Sequence, residues 1–217
     1  MKNLIYTAIF DDYDKLRDPL FVDKNCSYIC FTDNENLKSY VWQIVQVKLN
    51  ENYSKAQSAR NIKINIHKYV DKVSNFLWID ANQQITRDLS YIFDKNDSFD
   101  ITLLQHPDRI CIYEEALACI QLYKDSQEVI NAQMKRYFDE GYPEKDGLHA
   151  TGLIIRKNNE RINKFCEAWF NEILHGSHRD QLSFDYVNWK KRFMITVHTI
   201  PFDVLKQIAI RWKHEKK

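Results

Sequence analysis

Apolar positions along this chain follow two periods, and the points where one gives way to the other set the expected order of elements. Leu4 to Phe10 alternates and is rich in β-formers, which predicts a first strand running into Asp11-Asp12-Tyr13-Asp14. Ser27 to Phe31 predicts a second strand, closed by Thr32-Asp33-Asn34, and Tyr40 to Val47 a third. From Ser54 the spacing changes: Ala59, Ile62, Ile66 and Tyr69 recur at threes and fours, predicting a helix to about Tyr69. Phe76-Leu77-Trp78-Ile79 then places four large apolar residues in a row, as in a strand covered on both faces in the middle of a parallel sheet.

Beyond that run, Arg87 to Phe93 predicts a short helix and Ile101 to Leu104 a strand. A long helix starts near Tyr113, extends to about Tyr123, resumes from Gln127 to Glu140 and is stopped by Gly141-Tyr142-Pro143. Gly147 to Gly152 reads as a loop and Leu153 to Arg156 as a strand. Asn163 to Leu174 reads as an amphipathic helix, and the segment from His178 opens another that runs through about Trp189. The alternation of strands and helices, with no linker, repeat or low-complexity segment, predicts an α/β fold: a mixed, mainly parallel central sheet flanked by helices. Residues 1–190 are expected as one domain, and residues 191–217 as a basic C-terminal extension.

Composition narrows the function classes. A net charge of +1, from 31 basic and 30 acidic residues, provides no global field for nucleic acid, so no nucleic-acid partner is expected. The five cysteines include no C-x-x-C pair and read as buried free thiols. No apolar run approaches a signal peptide or a membrane span, so a cytoplasmic protein is expected. The four glycines, at 141, 147, 152 and 176, exclude a G-x-G-x-x-G fingerprint and a P-loop. A nucleotide would therefore be held by side chains and a metal.

The candidate chemistry starts at the end of the apolar run. Asp80 and Asn82, two residues apart in an extended segment, put two hard oxygen donors on one side, where open α/β sheets hold ligands. An Asx turn after a strand is the other reading of the same residues. Arg60, Lys63 and His67 recur at threes and fours, which lines one helix face with cations able to reach a diphosphate or simply to meet solvent. In the tail, eight basic residues (Lys190, Lys191, Arg192, Lys206, Arg211, Lys213, Lys216, Lys217) lie beside an apolar stripe of Leu205, Ile208, Ala209 and Trp212. That stripe suits either packing on the domain or a peripheral membrane contact.

Several stretches in order carry a resemblance: Tyr6-Thr7-Ala8-Ile9-Phe10, Cys30-Phe31-Thr32-Asp33, Arg60 and Lys63, Leu77-Trp78-Ile79-Asp80-Ala81-Asn82, His106-Pro107, and Tyr113-Glu114-Glu115-Ala116. Gly141-Tyr142-Pro143, Thr151-Gly152 and Arg179-Asp180-Gln181-Leu182-Ser183 complete the set. Together they resemble a family of glycosyltransferase-like domains found in bacteria and in plant Golgi proteins linked to cell-wall mucilage. The resemblance covers roughly residues 4 to 190.

It implies a glycosyltransferase-A type fold with a metal-binding D-x-D, which here reads Asp80-Ala81-Asn82, an amide standing where the second acid is usual. Transfer would run from a UDP- or GDP-sugar to a glycan or lipid-linked acceptor, with Mn²⁺ or Mg²⁺ at Asp80, Asn82 and a late histidine, His198. Asp11, Tyr13 and Asp33 would meet base and ribose, while Arg60, Lys63 and Asp80 face the diphosphate. Asp180, with Arg179 and Gln181, is the implied catalytic group. His106, Arg109, Glu114, Glu115, Thr151 and Gly152 would line the acceptor side. By analogy the setting is bacterial surface polysaccharide or lipopolysaccharide assembly. Two other classes stay open: a non-catalytic nucleotide-sugar-binding module, and a hydrolase holding a metal with Asp80, His106 and His198.

Overall fold

A computed structural model describes residues 3–96, 98–191 and 195–215; of the basic tail, Arg192, Lys216 and Lys217 lie outside the described residues, as does the side chain of Lys191. The chain order is β1 (Asn3–Ile9), β2 (Cys26–Thr32), β3 (Gln43–Gln46), α1 (Lys55–Asn65), β4 (Asn75–Ile79), β5 (Gln83–Ile85), α2 (Ser90–Asn96), β6 (Ile101–Gln105), α3 (Ile112–Gln121) and α4 (Gln127–Asp139). It continues with β7 (His149–Lys157), α5 (Glu160–His175), α6 (Phe184–Lys191), β8 (Val197–Ile200), α7 (Asp203–Ile208) and β9 (Ala209–Arg211).

The main sheet has seven strands in the order β3-β2-β1-β4-β7-β6-β8, and β5 pairs with β9 in a separate ribbon. β7 runs antiparallel to both neighbours, while the pairs β1–β2, β1–β4, β2–β3 and β6–β8 are parallel. The expected mixed, mainly parallel α/β sheet is therefore present. All five residues of β4 are buried, as an apolar run in a central strand requires. One face of the sheet packs against α1, α3, α4 and α5 through Tyr6, Phe76, Trp78, Ile154, Phe165 and Trp169; the other packs against α2 and α7 through Leu77, Ile79, Phe93 and Leu205.

α1 begins where its sequence says it should. Ser54 accepts from the Gln57 amide and the Gln57 side chain accepts from the Ser54 amide, a closed capping box. Near its other end the Tyr6 hydroxyl donates to the Lys63 carbonyl at 2.5 Å, tying α1 to β1.

Two segments differ from the expectation. Residues 149–152 are not loop but the start of β7, because His149 and Ala150 pair with Gln105 and Leu104 across a bulge at Leu103/Leu104. The tail contributes β8 to the main sheet and β9 to the ribbon, and its Leu205, Ile208 and Ala209 are buried. Three of the four residues of the tail's apolar stripe are thus core, and Trp212 alone of the four stays exposed.

Candidate active site

The parallel strands β1, β2, β4 and β6 deliver their carboxyl ends to one crevice, and β7 starts there. Asp80 leaves β4 with its amide donating to the Gly152 carbonyl at 3.0 Å. Its Oδ1 accepts from Trp78 Nε1 at 2.8 Å and lies 3.5 Å from Lys63 Nζ, and its side chain is 39% exposed. A Cβ at residue 152 would stand 3.4 Å from Asp80 Oδ2, so the glycine keeps the strand close to this carboxylate.

Lys63 is the centre of the charge arrangement. Its side chain is only 2% exposed, and Nζ lies 2.6 Å from Asp180 Oδ2 as well as near Asp80. Trp78 places its ring 5.3 Å below the ammonium. Arg60 Nε reaches the other Asp180 oxygen at 3.1 Å. Burial alone would raise the Asp180 carboxyl, but Arg60, Lys63 and Arg179 overcome it and hold the group far below the usual carboxylate range. Arg60 and Lys63 thus hold Asp180 between them, and Lys63 also reaches toward Asp80 on the crevice side.

This narrows the part that Asp180 can play. A buried carboxylate between cations binds a proton too weakly to serve as a base near neutral pH. It holds Arg60 and Lys63 in place, while Trp169 Nε1 donates to its carbonyl. Its neighbour Gln181 does line the crevice cavity. The expected cationic face of α1 is also revised. His67 leans on Glu167, and burial and the Arg156 guanidinium push it down to about 4, so it is neutral. Arg60 and Lys63 are both held in place by Asp180.

That cavity, about 230 Å³, is lined by Asp80, Asn82, His106, Asp108, Gly152, Gln181, Arg211 and His214 among others. His106 is buried, and its Nδ1 accepts from the Asp108 and Arg109 amides at 3.3 and 3.1 Å. Its proton therefore sits on Nε2, 3.4 Å from Glu115 Oε2, and burial lowers its basicity. Arg109 closes the group through Glu115 at 2.5 Å. Glu115 is thus a buried support and Glu114 an exposed surface acid. Thr151 is buried.

At the ends of β1 and β2 the Asp11 amide donates to Asp33 Oδ1 at 2.9 Å, and Lys55 pairs with Asp11. Tyr13 lies 4.9 Å from the His214 ring, whose Nδ1 meets Asp14 Oδ1 at 2.8 Å. His214, which also lines the cavity, is not among the residues that the sequence singles out. It sits in a polar tail near the chain's last residues, and nothing in its spacing points to the crevice.

His198 does not join Asp80. It pairs with Thr102 on the edge strand β8 and stacks on Phe99 at 4.4 Å. Three strand spacings separate β8 from β4, about 14 Å. The hydrolase constellation of Asp80, His106 and His198 is therefore not assembled. Asn82 is tied to the tail through its side-chain nitrogen and its backbone carbonyl, which leaves only its side-chain oxygen for a metal. It is buried, its Nδ2 donates to the Trp212 carbonyl at 3.1 Å, and its own carbonyl accepts from the Trp212 amide at 2.8 Å. An aspartate could not donate to that carbonyl, which gives the amide at this D-x-D position a structural reason.

Among the described residues no group of three or more His, Cys, Asp or Glu is set to hold a metal. The donors lining the cavity nevertheless suit a hard divalent cation in kind: the Asp80 carboxylate, the oxygen left on Asn82, and the ring nitrogen of His214 not engaged by Asp14.

Residues 1–214 match the family model described as "TOD1/MUCI70, glycosyltransferase-like domain". The chain belongs to that family. Among curated proteins it is 24% identical over 249 residues to "Alkaline ceramidase TOD1" of Arabidopsis thaliana, covering 99% of this chain and 54% of that one. It is 26% identical over 219 residues to "Probable hexosyltransferase MUCI70" of Arabidopsis thaliana, covering 86% of this chain and 37% of that one. The chain thus spans about half or less of the length of these family relatives. Among solved structures, apo mouse xyloside xylosyltransferase 1 superposes with a TM-score of 0.50 at 8% identity, over 92% of this chain and 84% of that one. That likeness concerns the fold, which the family shares with a glycosyltransferase.

Proposed function

We propose that this chain transfers a sugar from a nucleoside-diphosphate sugar to a glycan or lipid-linked acceptor. The observation that carries the reading is the Lys63 ammonium, buried between Asp80 and Asp180 at the carboxyl end of β4, with Arg60 and Arg179 adding charge. Breaking the anomeric C–O bond leaves negative charge on a diphosphate, and preorganised cations in a dry site stabilise that charge most where it develops. Lys63 and Arg60 are fixed by Asp180, so no reorganisation is needed when it appears.

The remaining roles follow position. Asp11, Tyr13 and Asp33, gathered over β1 and β2, take the base and ribose. The cavity at Asp80 takes the sugar, with Gln181 and the His106 loop around it. For the acceptor hydroxyl we assign Asp108, which lines the same cavity on the turn after β6. Where a divalent cation is bound, Mn²⁺ or Mg²⁺ would neutralise the leaving diphosphate, and Asp80, Asn82 and His214 would hold it. The setting in surface polysaccharide or lipopolysaccharide assembly is our extension of the resemblance, since both curated relatives named above are plant proteins.

The test is release of UDP or GDP from a panel of nucleotide sugars, with and without Mn²⁺ and an acceptor mixture. The reading expects turnover that falls at least about 100-fold in Lys63→Met and Asp80→Ala. Donor binding without turnover would instead support a binding module. The name of one relative, an alkaline ceramidase, favours a second reading: hydrolysis of a lipid amide. Fatty-acid release from ceramide with no nucleotide requirement would support it.

A further inference from the structure

Leu20, Phe21 and Val22, three large apolar residues in succession, are 68%, 41% and 44% exposed. Ile210 and Trp212 are 44% and 41% exposed. These two groups are neighbours in space. The Leu20 amide donates to the Ile85 carbonyl at 2.8 Å on one side of β5, while on the other side Gln84 pairs with Ile210 and Ile85 with Ala209. Trp212 Nε1 donates to Gln84 Oε1, and Arg17 lies 4.4 Å over the Trp212 ring. The result is one ridge with apolar tips, beside the mouth of the cavity that Arg211 and His214 line.

The exposed charges around the ridge are mostly basic. Lys15, Lys24, Arg87, Arg211 and Lys213 are exposed. Of the acids in the same stretches, Asp88 and Glu215 are exposed, while Asp14 and Asp18 are half-buried and Asp23 is buried. Asp18 accepts from Ser39 and the Tyr40 amide, Asp23 is buried and accepts from the Asn25 amide, Asp14 holds His214, and Glu215 pairs with Arg17. Asp88 accepts from the amide and hydroxyl of Ser90. Five exposed cations thus surround the apolar tips against two exposed acids, of which Glu215 is paired with Arg17.

We propose that this ridge docks the chain on an anionic lipid bilayer. Phe21, Val22 and Trp212 enter the headgroup boundary, and the surrounding Lys and Arg meet lipid phosphate. A second copy of this chain fits worse, because a two-fold contact through the ridge would bring the same cations face to face. The contact is peripheral: no helix among the described residues is long and apolar enough to cross a membrane. It would hold the cavity mouth at the lipid surface. The inference concerns binding alone and does not depend on the transferase reading.

The test is co-sedimentation of the 217-residue chain with vesicles of phosphatidylcholine alone and with phosphatidylserine added. We expect binding to the anionic vesicles only, weakened at high salt, and reduced about tenfold or more by the double variant Phe21→Ser, Val22→Ser. A Tyr123→Ser control, at an exposed aromatic outside the ridge, should bind as wild type. All substituted side chains are exposed, so an unchanged melting temperature shows that folding is intact. The proposal is overturned if wild type ignores anionic vesicles, or if the double variant binds as well as wild type. It is equally overturned if the chain dimerises in a way that the double variant abolishes.

Discussion

Lys63 Nζ lies 2.6 Å from Asp180 Oδ2, and both side chains are 2% exposed. A charge pair this deep is costly to break from one side, because the partner is left buried without compensation. Lys63 also links this pair to Asp80, through the 3.5 Å contact on the crevice side. Stability and electrostatic preorganisation therefore meet in one side chain.

Lys63→Met should destabilise the fold by about 3–5 kcal/mol, measured by urea denaturation, and should abolish donor binding. Lys63→Arg should not rescue binding. A planar guanidinium does not fit the point between two carboxylates and the Trp78 ring.

Acid titration tests Asp180. Its folded carboxyl is held below its unfolded value, so its contribution is complete above about pH 5 and is lost as pH falls below the unfolded value near 4. The stability difference between wild type and Asp180→Asn should be flat from pH 7 to about 5 and shrink below about 4. A flat difference down to pH 2 would mean that the carboxyl is not depressed.

Asn82→Asp should loosen the tail. The variant loses the donor to the Trp212 carbonyl and sets a carboxylate against it, so limited proteolysis at Lys213 should be several-fold faster. Asn82→Ala loses the donor without adding charge and should be intermediate.

Gly152→Ala should fold, since the added methyl meets Asp80 Oδ2 at ordinary contact distance, 3.4 Å. It should change stability by less than about 1 kcal/mol yet weaken ligand binding at Asp80, a split readable from melting temperature against titration.

Much of this was legible before the structure. The apolar run of β4 announced its own burial, and Ser54 with Gln57 announced the start of α1. The end of β4 pointed to Asp80 because a buried strand must deliver its next polar residue to the crevice. What stayed hidden depended on pairing between distant segments. Nothing local says that Asp180 will be enclosed by Arg60 and Lys63, since its position after α5 is compatible with an exposed first-turn acid. Period alone does not tell that β7 is antiparallel or that it begins at His149. β5 and β9, three residues each, are too short to show a period, so the tail read as an appendage and His214 was passed over in favour of His198. Asn82 departed from its motif for a reason visible only when Trp212 was in place.

The most direct measurement is calorimetric titration of wild type and Asp80→Ala with UDP- and GDP-sugars, each in Mn²⁺ and in EDTA. The account predicts that wild type binds at least one donor and that Asp80→Ala binds it about tenfold or more weakly, with its fold intact by melting temperature. Equal binding by the two proteins, or no binding of any donor by wild type, would contradict it.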